Sequence, residues 1–474
     1  MLFPSTGFRS FLQAFMSPSH VSTERDALLP RNIRSRDQGK IIVKFLPVVV
    51  FASVCRGLSL FARYEYYHRW PAHSPSRRFD TWLQMGEVVL KVDMSAMAVS
   101  IFVSFVSVGW WSAIGDRHGR KCVLLISILG SLLRDLIYLA VAQSELQEHG
   151  VVMALVIDGL LGGFVTFTGV AHAYISDASA SYSSKTLDFC LLHAATFVSF
   201  RLGAFLGYVA GYTSVHSNAA FGGSVFLAFY NMVYIYLLLP ESLVPQPASL
   251  TPEHTPITGL KSAMMDIASP VTIFFRSNPW RSRLVCLALF AFSGSLAYGV
   301  LVDTSVSSPN QNLTDLMMPS ILRVVTWVCI VPAAAFFFKR TEHYDDHFLF
   351  AKVVALWSIA FALLAISVFG VWASILLWIW FKFPYPPGFF LYPLSVAAIP
   401  ALYSAAVSLT SSDSERGALF GSLSVWAALG EYLSYYFAGN RVDIGYYWAW
   451  VASVLVFSFI SLASQDSPIP AILP

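Results

Sequence analysis

Charge is what this sequence has least of. Only 12% of its 474 residues are Asp, Glu, Lys or Arg, against about 25% in a soluble domain. A globule of this length could not cover its surface with so few solvated groups. The solvent around it must be apolar, so the chain reads as a membrane protein. Cysteine is scarce too. Cys55, Cys122, Cys190, Cys286 and Cys329 stand far apart, each in or beside an apolar run, which suggests neither a disulfide framework nor a zinc site. A net charge of +3 is too small to suggest a nucleic-acid partner. Residues 1–40 are polar and basic, without the apolar core and cleavage site of a secretory signal. No span carries paired metal ligands, and no nucleophile–base spacing stands out at a membrane surface. Neither an enzyme nor a metal or cofactor is therefore expected.

Apolar residues are abundant, 56% of the chain, and they come in long runs. A helix needs about 20 such residues to cross a bilayer. Candidates lie near 41–62, 88–111, 122–143, 150–174, 187–212, 220–239, 281–302, 316–338, 348–369, 387–409, 416–438 and 444–464. The expected class is an all-α membrane protein of twelve transmembrane helices; 370–386 either extends the ninth helix or lies at the interface. Lys and Arg set the orientation. With the N-terminus cytoplasmic, that side receives Arg25, Arg31, Arg34, Arg36, Lys40, Arg117, Arg120, Lys121, Lys261, Arg276, Arg281, Arg283, Lys339 and Arg340. The other side receives mainly Arg69, Arg77, Arg78, Lys382 and Arg441. Both termini are expected inside.

The longest polar, proline-rich interval, 243–280, divides the chain. The expected organisation is a disordered cytoplasmic tail at 1–40, a six-helix bundle at 41–242 and a cytoplasmic central loop at 243–280. A second six-helix bundle follows at 281–464 and a short tail at 465–474. Within the loop, 260–275 reads as a helix lying on the inner membrane surface, with an unstructured linker as the alternative.

Between the second and third spans stands Gly115-Asp116-Arg117-His118-Gly119-Arg120-Lys121, four charges and a histidine in seven residues. The positive-inside rule accounts for Arg117, Arg120 and Lys121 but not for Asp116 or the glycines. The run resembles the signature loop of the major facilitator superfamily, G-x-x-x-D-R-x-G-R-K, with Ser112 in place of the first glycine. Three further features resemble the same family: Pro240-Glu241-Ser242 closing the sixth helix, the glycine repeat Gly203, Gly207, Gly211 in the fifth, and matching Ser-Asp endings at Ser176-Asp177 and Ser412-Asp413. The segment 158–177 is similar to the fourth helix of the branch that includes proton-coupled folate and heme-type carriers and fungal relatives. The resemblance covers about residues 41–464 and implies two six-helix halves that alternate access to a central site. It also implies an inner gate of Asp116, Arg117, Gly119, Arg120, Lys121 and Asp177. There Asp116 faces the start of helix eleven, near 412–420, and Arg120 pairs with Asp177.

Ionisable side chains inside the bilayer are costly and mark candidate sites. By helical rise, Arg56, Arg201 and Glu431 lie about 20 Å from the inner face, and Asp158 and Arg323 about 11–12 Å from the outer one. Two readings stand open. Arg56, Arg201 and Arg323 bind an anionic solute while Asp158 or Glu431 takes a coupling proton; or they are structural pairs, Arg201 with Asp158 and Arg323 with Glu431. Arg134 and Asp135, on a peripheral helix, read as structural, and His193 as a packed neutral histidine.

The expected function is secondary transport of a small, possibly anionic organic solute, coupled to H+, by a monomer in the lipid bilayer. The alternatives are a non-transporting sensor or scaffold and a drug–proton antiporter. Asp158 in place of helix four's arginine, and Tyr208 after Gly207, weigh against the antiporter. Glu24, Leu28 and Leu29 fit an acidic dileucine signal for an adaptor complex, which points to a vacuolar or lysosomal membrane, with the plasma membrane as the alternative. Asn312 opens a glycosylation sequon too close to the eighth helix for modification to be expected.

Overall fold

A computed structural model describes residues 35–69, 82–141, 147–179, 182–213, 218–242, 320–339, 347–369, 392–408, 416–439 and 444–463, with single positions near 265–272. The dileucine signal, the 281–302 span, the 370–386 stretch, nearly all of the central loop and Asn312 lie outside them.

Every described element is helical. In chain order these are α1 (Ser35–Arg69), α2 (Trp82–His118), α3 (Arg120–Val141), α4 (Gln147–Leu160), α5 (Gly163–Ala178), α6 (Tyr182–Thr213) and α7 (Asn218–Leu238). A π-helical turn (Thr326–Ile330) leads into α8 (Val331–Lys339), then α9 (His347–Phe369). A 3₁₀ turn (Tyr392–Ala397) opens α10 (Ala398–Ser408), and α11 (Arg416–Gly439) and α12 (Ile444–Ala463) close the series.

Seven stretches among the described residues are long and apolar enough to cross a membrane: Ile41–Leu60, Ala98–His118, Arg120–Val141, Gly150–Ala178, Lys185–Ala210, Asn218–Leu238 and Ser320–Phe338. Each coincides with a candidate span. The outward faces of these helices are apolar, with Phe102, Phe226, Phe229, Phe336 and Phe337 at 60–71% exposure. Such a surface is stable only against lipid.

α1 packs most extensively on α6, and also on α7; α3 bridges α7, α4 and α5. The α1–α6 approach is close because it is glycine against backbone. A Cβ on Gly57 would strike the Phe200 carbonyl, and one on Gly203 the backbone of Val54. Helices from the later part of the chain close against α2, α5 and α6 of this bundle. α11 packs on α2 and α5, while α10 and the π-helical turn pack on α6.

Two boundaries differ from expectation. α2 runs to His118, seven residues past the expected end, so Gly115 and Asp116 belong to its last turn. The loop shrinks to Gly119, at φ +105°, a conformation glycine adopts without strain. The fourth span is broken at Leu161–Gly162, with Gly162 and Gly163 both at positive φ. The break falls beside Asp158.

Candidate functional site

The turn at Gly119 brings the end of α2 and the start of α3 against the start of α11. Asp116 Oδ1 accepts the Gly417 N–H at 3.0 Å and Oδ2 the Ala418 N–H at 3.1 Å. These are N–H groups of the first turn of α11, which no helical carbonyl can satisfy and where a negative charge is favoured. Asp116 also pairs with Arg120 Nη2 at 2.6 Å. Arg120 is fully buried, and its Nε reaches Asp177 Oδ2 at 3.2 Å. The other oxygen of Asp177 takes Arg416 Nη1 at 3.3 Å. Two carboxylates and two guanidiniums therefore tie α2, α3 and α5 to the first turn of α11. Arg117 is exposed.

Glu241 completes this end. Its Oε1 accepts the Arg120 N–H at 2.7 Å and its Oε2 the Lys121 N–H at 3.2 Å, capping α3 from the far end of the bundle. Tyr174 anchors the same segment by donating to the Pro240 carbonyl at 2.8 Å. Lys121 Nζ donates to the Tyr236 carbonyl at 2.9 Å.

One turn before Asp116, Ser112 occupies the position where the resembled pattern has glycine. Close approach survives because the facing residue is Gly421, where an added Cβ would collide with Ser112 Oγ. A Cβ on Gly169 of α5 would sit 2.9 Å from the Gly421 Cα. α2, α5 and α11 thus meet around one glycine.

Deeper along the same contact, six rings interlock across it. His172 of α5 lies flat on Tyr403 of α10, centroids 4.2 Å apart and planes 9° apart. Phe420 of α11 stacks on Tyr403 at 5.7 Å, and Phe189 of α6 meets Phe420 edge-on at 5.6 Å. His193 of α6 lies 6.0 Å from Trp327 of the π-helical turn, whose Nε1 donates to the Val396 carbonyl at 3.1 Å. The two histidines touch, Nε2 to Nε2, at 3.2 Å.

The candidate charged residues inside the spans whose side chains are described fall into two groups. Arg134 of α3 donates to Asp135 Oδ1 at 2.8 Å and Asp158 Oδ2 at 3.0 Å. Ser59 and Ser224 donate to Asp135, and Ser131 to Asp158. The expected Arg201–Asp158 pair is replaced by this one: the break before Gly163 leaves the Asp158 carboxyl against α3, where Arg134 and Ser131 take one oxygen each. The remaining arginines rest on aromatic faces. Arg56 lies 4.1 Å above the Phe164 ring. Arg201 and Arg323 lie 5.4 and 5.7 Å from the same ring, Phe197, so a cation from each side of the α6 contact converges on one residue. Glu431 lies on α11; its side chain is outside the described part. Among the described residues, no three His, Cys, Asp or Glu side chains gather to hold a metal ion.

Sequence reasoning missed three participants. Arg416 starts a helix, where a cation is electrostatically misplaced and needs an acid nearby; that was the available signal. Glu241 stood out only as part of a helix ending. His172 lay within a quoted segment without being singled out.

The family model described as Major Facilitator Superfamily matches residues 90–435. A lysosomal proton-coupled steroid conjugate and bile acid symporter, SLC46A3 of Gallus gallus, is 26% identical over 208 residues, 43% of this chain and 42% of that protein. A proton-coupled folate transporter of Bos taurus is 30% identical over 118 residues, 25% of each chain. The matched stretches thus span less than half the length of these curated relatives. The crystal structure of the human organic anion transporter MFSD10 superposes with a TM-score of 0.64 at 17% identity, covering 90% of this chain and 99% of the other.

Proposed function

The chain belongs to the major facilitator superfamily, and on that premise we propose that it is a secondary transporter. It moves a small organic acid across a vacuolar or lysosomal membrane by alternating access, coupled to H+. Its relatives and its fold are those of transporters, which are not enzymes. The proposed architecture is twelve spans in two six-helix halves, 41–242 and 281–464, with both termini cytoplasmic.

The observation that carries this reading is the tie between Asp116 and the first turn of α11. A carboxylate from the early helices seals an end of a late helix through two backbone hydrogen bonds and nothing covalent. Such a contact can break and re-form, as alternating access requires. Asp116, Gly119, Arg120, Lys121 and Asp177, with Arg416 and Glu241 added, form the proposed inner gate, closed here.

The proposed solute contacts are Arg56, Arg201 and Arg323, and the proposed coupling acid is Asp158 or Glu431. The names of the matched relatives, which speak of bile acids, steroid conjugates and folate, support an organic acid as cargo. Their proton coupling supports H+ as the driving ion, and the lysosomal symporter supports the compartment.

Reconstitution into liposomes tests the reading. Uptake of bile acids, steroid conjugates or folates should rise when an inward proton gradient is imposed and fall when an ionophore dissipates it. Saturable binding without flux in either condition would replace the transporter with a sensor.

A further inference from the structure

The six-ring contact holds two histidines that the proposed transport cycle does not use. We propose that His172 and His193 form a proton-binding site inside the contact between the halves, taking one proton and loosening the contact when they do. The direction of this effect rests on the reading of that contact as the inner gate.

The hydrogen bonds fix the starting state. A backbone carbonyl can only accept, so His172 Nδ1, 2.6 Å from the Thr168 carbonyl, carries a proton. In the neutral ring Nε2 is then a bare acceptor, and His193 Nε2, at 3.2 Å, donates to it. His193 keeps a lone pair on Nδ1. The pair can gain one proton and keep its bond: the new proton goes to His193 Nδ1, and the Nε2–H of His193 still donates to His172 Nε2. A second would set two N–H groups face to face.

The surroundings decide what that proton does. From α10 the pair faces Tyr403, a phenol; α11 and the π-helical turn present Phe420 and Trp327, which do not titrate. On the histidines' own helices the acids are Asp177, held by Arg120 and Arg416, and Asp188, which accepts from Ser179. The cations Lys185 and Arg201 lie about two turns either side of His193 on α6. No acid is among the rings that pack on the pair, and the acids of its own two helices are engaged elsewhere. A cation there gains attraction from the ring faces but loses its hydration, and for a buried charge that loss is the larger effect. Protonation therefore favours the arrangement in which water reaches the rings, with α5 and α6 parted from α10 and α11.

The protein carries its own reporters. Cys190 is buried three residues before His193, and Cys122 is exposed beside the gate. With Cys55, Cys286 and Cys329 replaced by serine, the full chain in lipid nanodiscs is labelled with a hydrophilic maleimide. The ratio of Cys190 to Cys122 labelling cancels the reagent's own pH dependence. Between about pH 7.5 and pH 5.5, a range that spans histidine titration, the ratio should rise roughly tenfold, the factor for one unit of differential proton affinity. His172→Gln and His193→Gln should both flatten it.

A level ratio with both histidines present overturns the proposal, and that measurement needs neither variant to fold. A pH response that survives both substitutions overturns it too. The labelling requires neither solute nor flux. Proton-driven uptake with a level ratio would sink the histidine site alone, and a responsive ratio without uptake would sink the transporter reading alone.

Discussion

Asp116 has two roles at once: acceptor for the first turn of α11 and counter-ion for buried Arg120. Asp116→Asn keeps the shape but loses the charge, which weakens both by about 1–3 kcal/mol. The proposed gate should then spend more time open, and a cysteine placed on the first turn of α11 should label faster; an unchanged rate would refute the role. Arg134 should behave differently, because Asp135 and Asp158 both depend on it. Arg134→Gln strands two buried carboxylates at a cost of about 3–5 kcal/mol. It should lower the thermal midpoint of the purified protein whether or not solute is present. Asp116 and Arg120 were legible in the sequence because their spacing in one short motif resembles a known one, and Asp177 because the same resemblance implies an acid at the inner end of the fourth span. The partner of Asp158 was not. Helical periodicity assigns a residue to a face only while the helix is continuous, and Gly162-Gly163 ends that continuity just past Asp158.

At the scale of the helix, what is preserved is the space between α2 and α11 rather than a glycine at a given position. Ser112 takes up room that Gly421 gives back. Gly421→Ala should destabilise the closed form by about 1–3 kcal/mol through overpacking. Ser112→Gly in the same chain should restore most of it, a coupling that a double-mutant cycle on thermal stability would read directly. Additive effects would mean that the two residues do not share the space. The sequence marked Ser112 as the flaw in the motif but gave no sign of its compensation, which lies 309 residues away. Among the described residues, helix existence was legible from length and hydropathy alone. Helix ends were not, because the charges of 116–121 read as a loop whereas Asp116 and Glu241 satisfy enough of them for helix to continue up to Gly119 and resume after it.

At the scale of the whole molecule, the contact of α5 with α11 offers a direct test. Gly169 meets the backbone of α11, where an added Cβ would fall 2.9 Å from the Gly421 Cα, so Gly169→Val should hold α5 and α11 apart. Uptake should fall sharply; uptake unchanged in a folded Gly169→Val variant would mean that this contact does not need to close in the cycle. The family was legible in the sequence because its signature is local. The ring contact was not, since it draws one or two residues from each of five elements that are remote in the chain. The latch itself is lopsided in how it comes apart. Arg120 draws both its carboxylates, Asp116 and Asp177, from its own side of the contact. In the proposed opening, when α11 leaves, buried Arg120 keeps both its carboxylates. What loses a partner is two backbone N–H groups and Arg416 at a helix end where water can take over, while Asp116 and Asp177 each keep Arg120. The contact therefore separates along the line where solvent substitutes most easily, so opening and closing can differ by little in free energy, as a reversible cycle demands.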